Sequence, residues 1–333
     1  MDGFMKMIKK LAALVMALAL TLTMTAFAAA ESKTYTIGIA QFAEHPSLDN
    51  CREGFIQGLA EKGYVEGENV KFIIQNAQAD MGMTQQIAQQ LAQKCDLVCA
   101  IATPMAQAAL NACMDANVPV IYTAVSDPVA AMLANEEGKS DKNVTGTCDL
   151  LPVEAQLDLI RKLQPDAKTI GIVYTVSEPN SVSAIAEYEA KCGDYGFEVK
   201  PIGVTAQSEV TQAIDTLLGE QVDCFSNLTD NNVVGVLSSI LEKTDEAGVP
   251  VYGSEVEQVK MGCVASAGID YIALGRQTGE MAARILKGEA TASEMDYETI
   301  TEYGIYINSD ALAAMGITVP QEIADRAIES TAE

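Results

Sequence analysis

The chain is 333 residues long and carries 46 acidic side chains against 21 basic ones, a formal net charge of −25 at pH 7. So acidic a surface repels nucleic acid and anionic lipid, and no basic cluster offsets it, so nucleic-acid binding is excluded. The length exceeds what a single hydrophobic core usually holds, so two lobes are expected.

In chain order, residues 1–30 read as a secretory signal peptide. Lys6, Lys9 and Lys10 precede the apolar run LAALVMALALTLTMT, and Ala26-Phe27-Ala28 supplies a small-residue cleavage pattern. The alternative is an uncleaved anchor helix, because the apolar run approaches membrane-spanning length. No later stretch does, so the rest of the chain is expected to be soluble and extracytoplasmic. Strand-like and helix-like segments then alternate: strand Tyr35–Phe42, helix Leu48–Lys62, strand Val70–Gln75, helix Met83–Gln93, strand Leu97–Ala102, helix Pro104–Ala116 and strand Pro119–Thr123. Ala130–Leu133 continues the alternation to Val144–Cys148. The strands are short, β-branched and apolar throughout, as parallel strands covered on both faces are. Such alternation predicts an α/β fold with parallel sheets and helices on both faces.

The pattern then restarts. TIGIVYTVSEPNS at 169–181 repeats TIGIAQFAEHPS at 36–47; VDCFSNLTDNN at 222–232 resembles CDLVCAIATPM at 95–105; AGVPVYGSE at 247–255 resembles ANVPVIYTAVSD at 116–127. Matching parts keep their order at nearly constant spacing, which predicts two lobes of one topology. Helix Leu274–Leu286, strand Tyr303–Ile307 and a short helix capped by Ser309 have no counterpart in the first half. They suggest that the chain crosses back to finish both lobes. The expected lobes are residues 31–150 with about 275–300, and 151–274 with about 301–333.

Ligands of parallel sheets sit at the carboxyl ends of the strands. Here those ends carry six polar loops: Phe42–Ser47, Thr103–Pro104, Ser126–Pro128, Val176–Ser181, Thr229–Asn231 and Ser254–Glu255. If the lobes face each other, all six converge on one cleft. Thr103 as a cap with Pro104 in the first turn would leave N–H groups and a hydroxyl for a carboxylate. Ser47 and Ser181 are candidate caps of the helices that follow the repeated phrases. Glu44, Asp127, Glu178, Asp230 and Glu255 make the cleft acidic and suit a ligand ammonium, although Asp127 and Asp230 equally suit plain helix caps. His45, the only histidine, is expected to orient a loop or a ligand. No nucleophile elbow, phosphate-binding loop, dinucleotide fingerprint or zinc-protease motif occurs, so the chain is not expected to be an enzyme. No metal or cofactor is expected either. Of the eight cysteines, Cys95, Cys99, Cys113, Cys224 and Cys263 sit in apolar patterns as small hydrophobes. Cys51 and Cys192 lie in amphipathic helices, and their pairing is left open.

The stretches GIAQFAEHPSLD, FIQGLAEKGYVEGENV, NAQAD, IATPMAQAA, YTAVSDPVAA, NVTGTCDLLPVEAQLDLI, TIGIVYTVSEPNS, TDNNVV and GIDYIALGRQTGEMAARILKGE resemble the substrate-binding proteins of ABC importers. The likeness is to the ABC_sub_bind family of the tryptophan/tyrosine-transport type, over residues 33–328. The resemblance implies a type I periplasmic-binding-protein fold, with two Rossmann-like lobes, three crossovers and a Venus-flytrap cleft that closes on a small solute. An amino acid, aromatic by preference, is the implied solute. A membrane permease with its ATPase is the implied partner, and a monomer the implied state. Carried over by position, the cleft residues are Phe42, Glu44, His45, Thr103, Pro104, Ser126, Asp127, Glu178, Asn180, Ser181, Asp230, Asn231 and Glu255. The ligand carboxylate would meet Thr103 and its ammonium Asp230 with Asp127 or Glu255, while a ring would stack on Phe42 or Tyr174. Two departures stand out: no lipobox cysteine lies near Ala26–Ala30, and Glu255 occupies a position where the family pattern has Asp. A sensory module of the same fold, or a two-lobed hydrolase using cleft carboxylates, are the rival readings.

Overall fold

The structure, a computed structural model, describes residues 33–331; the expected signal peptide lies outside the described residues. Among the described residues no helix is long and apolar enough to cross a membrane. The chain first lays down β1 (Tyr35–Gln41), α1 (Pro46–Glu61), β2 (Val70–Asn76), α2 (Met81–Ala92), β3 (Leu97–Ile101), α3 (Thr103–Cys113), β4 (Val120–Thr123) and β5 (Val144–Cys148). It continues through α4 (Val153–Leu163), β6 (Thr169–Thr175), α5 (Pro179–Lys191), β7 (Glu198–Val204), α6 (Val210–Gly219), β8 (Cys224–Ser226), α7 (Asn231–Val234), α8 (Leu237–Ala247), β9 (Val251–Tyr252), α9 (Val256–Met261) and β10 (Ala265–Gly268). It ends with α10 (Tyr271–Leu286), β11 (Glu298–Thr299), β12 (Gly304–Ile307), α11 (Ser309–Ala314), α12 (Gln321–Ala324) and β13 (Ala327–Glu329).

The strands form two surfaces. The first sheet has the order β2-β1-β3-β4-β5-β11, and the second runs β7-β6-β8-β9 with β10-β12-β13 beside it. Bonds from Val264 N–H to the Val251 carbonyl (2.8 Å) and from Gly253 N–H to the Ala265 carbonyl (2.9 Å) join β9 to β10, so the second surface is continuous. All the pairings are parallel where β1, β3, β4 and β5 meet and where β6, β7, β8 and β9 meet; β12 pairs antiparallel with β10, and β13 runs parallel to β12. Every residue of β3 and β4 is buried, which is why these strands read as unbroken apolar runs. In the second lobe one apolar cluster gathers Leu157, Ile160, Ile172 and Tyr188, and another gathers Val210, Ile214, Phe225 and Ile240. Each cluster covers one face of the sheet with helices. The chain passes between the sheets after β5, after β10 and after β11.

Three local expectations change. Ala130–Leu133 is a set of turns: the Asp127 carboxylate accepts the Ala130 N–H at 2.9 Å, and Met132 takes a left-handed φ of 59°, which stops a helix from propagating. Asn308, not Ser309, caps α11 by accepting the Ala311 N–H. Helix α10 begins three residues before its apolar periodicity, because Asp270 accepts the N–H groups of Ile272 and Ala273.

Helices α1 and α10 meet backbone to backbone. A Cβ at Gly54 would lie 2.1 Å from the Ile272 carbonyl oxygen, and one at Gly58 would lie 2.2 Å from that of Arg276. Reciprocally, a Cβ at Gly275 would lie 2.2 Å from the Cys51 oxygen, and one at Gly279 would lie 2.4 Å from that of Phe55. Two glycines four residues apart on each helix thus form one stripe against another, and the rising residue pairs make the helices parallel. Both helices therefore end, at their N-termini, on the same side of the molecule.

This contact predicts opposite outcomes for two Gly→Ala changes. Gly58→Ala sets a methyl against backbone that no rotamer change can move, so overpacking of about 1–3 kcal/mol outweighs the helix-propensity gain of about 1 kcal/mol. Gly219→Ala, where a Cβ meets nothing within 4 Å, is expected to be neutral or slightly stabilising. Thermal or urea unfolding of the two variants decides between them; equal stability of both would refute the close-contact reading.

Candidate functional site

The carboxyl ends of both sheets face one narrow cavity. From the first lobe it is lined by His45, Ser47 and Leu48 at the start of α1, by Ala102 and Ala124 after β3 and β4, and by Asp149 after β5. From the second lobe come Asn180, Thr229, Asn231, Val234, Glu255 and Gln258, and Tyr271 opens α10. Ala102 (φ 79°) and Ala124 (φ 54°) both sit in the left-handed region, a strain of about 1–3 kcal/mol each that gathers at functional sites.

Direct hydrogen bonds hold the lobes together around this cavity. Ser47 Oγ donates to Glu255 Oε1 at 2.9 Å and Asn50 Nδ2 to Glu257 Oε1 at 3.0 Å. Ser183 Oγ donates to Asp127 Oδ2 at 2.7 Å, the Ser126 and Thr229 hydroxyls share a bond of 3.2 Å, and His45 Nε2 lies 3.4 Å from Asn231 Oδ1. The conformation is closed.

The residues singled out in the sequence take different positions. His45, Asn180, Asn231 and Glu255 line the cavity, and Ser126 borders it through Thr229. Phe42 is buried in the first lobe away from the lining, and Glu44 is exposed, accepting from Gln78 Nε2 at 3.1 Å. Tyr174 packs against the core of the second lobe, and Tyr271 takes the place of an aromatic wall. Ser47 and Ser181 do not cap: α1 and α5 begin ahead of them, at Pro46 and Pro179, after His45 and Glu178, which make no side-chain cap. The freed hydroxyls go to Glu255 and to Asp230, the latter at 2.7 Å. Thr103 is the first residue of α3 rather than its cap, beside the buried Pro104, and its hydroxyl has no partner. Neither α1 nor α3 has its N–H groups capped by a side chain, so both present positive helix ends to the cavity side.

Counting acceptor valences sorts the acids. Asp230 accepts from Thr175 N–H (2.6 Å), Thr175 Oγ1 (2.8 Å), Ser181 Oγ (2.7 Å) and Val233 N–H (3.0 Å), which makes it a saturated strut of the second lobe. Glu255 accepts from Ser47 and from the N–H groups of Glu257 and Gln258; burial pushes it up to about 7 against these donors. Glu178 Oε2 accepts from the Asn231 amide at 2.7 Å and from Asn180 at 3.2 Å, while Oε1 has no partner. Burial, then the neighbouring Asp230 carboxylate, push it up to about 8. Burial lowers His45 to about 4, so its ring is neutral. Because the Asn231 amide nitrogen donates to Glu178, its oxygen faces His45, and Nε2 carries the ring proton. His45 Nδ1 is then a buried acceptor with no partner.

Asp149, Tyr271 and Gln258 were missed in the sequence. Asp149 stands at the carboxyl end of β5, where the same strand-end rule points, but the segment reads as a connection between lobes. Tyr271 and Gln258 reach the cavity only through the crossover and the tertiary fold. Cys51 is fully buried, and its thiol is raised well above the usual range by burial and by the Asp149 charge. All eight cysteines are buried and unpaired, and among the described residues no cluster of acids, histidine and cysteines is built to hold a metal ion.

Comparison with known proteins places this geometry. Residues 36–331 match the family model "ABC transporter substrate binding protein". The chain is 42% identical over 287 residues to a tyrosine-binding protein of Clostridioides difficile, covering 85% of this chain and 81% of that protein. A domain from Streptococcus pneumonia solved in complex with L-Trp superposes with a TM-score of 0.85 at 33% identity, over 90% of this chain and all of that one. A ligand-free, open substrate binding protein with adhesive properties from Clostridium difficile is more similar in sequence, at 40% over the same coverage, yet superposes at only 0.66. That structure is open, whereas here hydrogen bonds join the lobes around the cavity. A leucine binding protein from Thermotoga maritima, at 13% identity and a TM-score of 0.57, shares the type I periplasmic-binding fold alone. The chain belongs to the ABC transporter substrate binding protein family.

Proposed function

We propose that the protein is the extracytoplasmic solute-binding component of an ABC importer and that it captures a zwitterionic amino acid, with an aromatic side chain favoured. The observation that carries this reading is the set of buried polar atoms without protein partners that gather at the cavity: His45 Nδ1, Asp149 Oδ1 and Asn180 Oδ1 on its lining, and Thr103 Oγ1 and Glu178 Oε1 near it. Buried polar groups are normally paired, so such a cluster marks where a ligand supplies the partners. The names of the tyrosine-binding relative and of the L-Trp complex support the ligand class. The carboxylate goes to the Thr103 hydroxyl and the uncapped N-terminus of α3, while Leu48, Ala102, Ala124, Val234 and Tyr271 give the apolar walls for a side chain.

Binding works by population shift. Ligand contacts to both lobes stabilise the closed form over the open one, and a permease with its ATPase then receives the solute. The lobes comprise residues 31–150 with about 275–300, and 151–274 with about 301–333. Pairing of β11 with β5 and of β12 with β10 supports that division. The protein acts as a monomer and as a binder, not an enzyme.

Calorimetry against the twenty L-amino acids, nucleosides and sugars tests the reading. Tight binding of an aromatic amino acid is expected, with stabilisation of about 2.7 kcal/mol at a hundredfold excess over Kd. Tight binding of a sugar or nucleoside and of no amino acid overturns it.

The closed cleft also fixes a pH dependence. Glu255 and Glu178 have folded pKa values of about 7 and about 8, above the unfolded value of about 4.3. The folded state then holds protons the unfolded chain has lost, so stability falls as pH rises toward and through those values. His45, lowered to about 4, acts in the opposite sense only below about pH 6.5. Between about pH 6.5 and 8 the melting temperature should therefore fall. Glu178→Gln, which mimics the protonated acid, should flatten that fall; an unchanged slope would show that Glu178 is ionised throughout.

A further inference from the structure

We propose that Asp149 is the residue that holds the ligand's ammonium group, with Tyr271 as its positioning partner; the inference rests on the amino-acid reading above. Asp149 follows β5 at the first passage between the lobes, lines the cavity and is 2% exposed. Its Oδ2 accepts the Tyr271 hydroxyl at 2.5 Å and the nearby Ser126 hydroxyl also favours its charged form, while Oδ1 is buried and makes no hydrogen bond of full geometry among the described residues. A carboxylate oxygen left bare in this way costs more than an unmade bond to a neutral group, and it persists where a ligand completes it.

The other acids of the cleft are already used. Asp230 is saturated by four donors, Glu255 by three, and Asp127 by the Ala130 N–H and the Ser183 hydroxyl. Glu178 keeps one bare oxygen but does not line the cavity. The ammonium partner assigned from the sequence, Asp230, thus becomes a scaffold.

The lining also selects the chemistry. The three lining residues that carry a partnerless buried atom, His45, Asp149 and Asn180, all offer an acceptor. A primary ammonium brings three donors, a full positive charge and no acceptor, whereas each sugar or nucleoside hydroxyl brings a single neutral donor together with lone pairs that need donors of their own. Tyr271 fits a positioning role: burial, and then the Asp149 charge, raise its phenol well above the usual range, so it remains a donor to the carboxylate.

A cycle of residue charge against ligand charge tests this, with L-tyrosine and 3-(4-hydroxyphenyl)propanoate, which lacks the amine, as probes. Wild-type protein should prefer L-tyrosine strongly. Asp149→Asn keeps the shape and removes the charge. It should weaken L-tyrosine by at least about 30-fold, with the deaminated probe changed by less than about threefold. Tyr271→Phe should give a smaller loss that is again confined to the amine-bearing probe, and it decides the matter if Asp149→Asn fails to fold. Equal loss for both probes, or no loss for either, overturns the role of Asp149 while leaving the amino-acid reading intact. Wild-type protein that binds no amino acid overturns both.

Discussion

The cleft depends on the glycine contact between α1 and α10. Because Gly54 and Gly58 lie against Gly275 and Gly279 with only backbone between them, the two helices run parallel at close range and their first turns arrive side by side. One first turn carries His45, Ser47 and Leu48; the other opens with Tyr271. Helix α10 leaves the second lobe directly after β10, so seating it on α1 also fixes where the chain exits that lobe. A larger side chain anywhere in the stripe would separate the helices and displace residues of both walls together. Packing and recognition are here one constraint.

Around that fixed corner the acids divide their labour by valence rather than by position in sequence. Helix N-termini converge on the cavity because both sheets are parallel, and their positive ends tolerate several buried carboxyls. Asp230 spends every acceptor site on its own lobe. Glu255 and Asp127 reach across to Ser47 and Ser183 and so fasten the closed form. Asp149 spends half of its capacity on Tyr271. Net charge in the cleft says little about where an ammonium would settle; the unspent oxygens say more.

Much of this was legible in the sequence. Apolar runs located the strands, the repeated phrases matched β1 with β6, and the strand-end rule named loops that contribute His45, Asn180, Asn231 and Glu255 to one cavity. Individual roles were not legible, because they depend on partners far along the chain: Ser47 meets Glu255 across 208 residues, and Tyr271 meets Asp149 across 122. A serine after a strand looks like a cap in either case. Proline at the first helical position of α1 and α5 moved the helix start and freed both serines. One signal was present and unread: the glycines at 54 and 58, and at 275 and 279, keep the four-residue spacing by which small residues let helices touch.

The repeated phrase finally explains how an asymmetric cleft arises from two similar lobes. Pro46 and Pro179 open equivalent helices, and the residues before them, His45 and Glu178, stand at equivalent uncapped positions. Asn231 touches both, its amide nitrogen donating to Glu178 at 2.7 Å and its oxygen facing His45 at 3.4 Å. One bridging amide therefore links the pair only while the lobes are closed. Burial drives the two groups toward neutrality from opposite sides, lowering the imidazole and raising the carboxyl. Two copies of one loop thus become an acceptor on the cavity wall in one lobe and, in the other, a protonatable acid set behind the Asn180 and Asn231 amides that line the cavity. The two sides of the cleft therefore differ in chemistry, although the backbone that carries them is nearly the same.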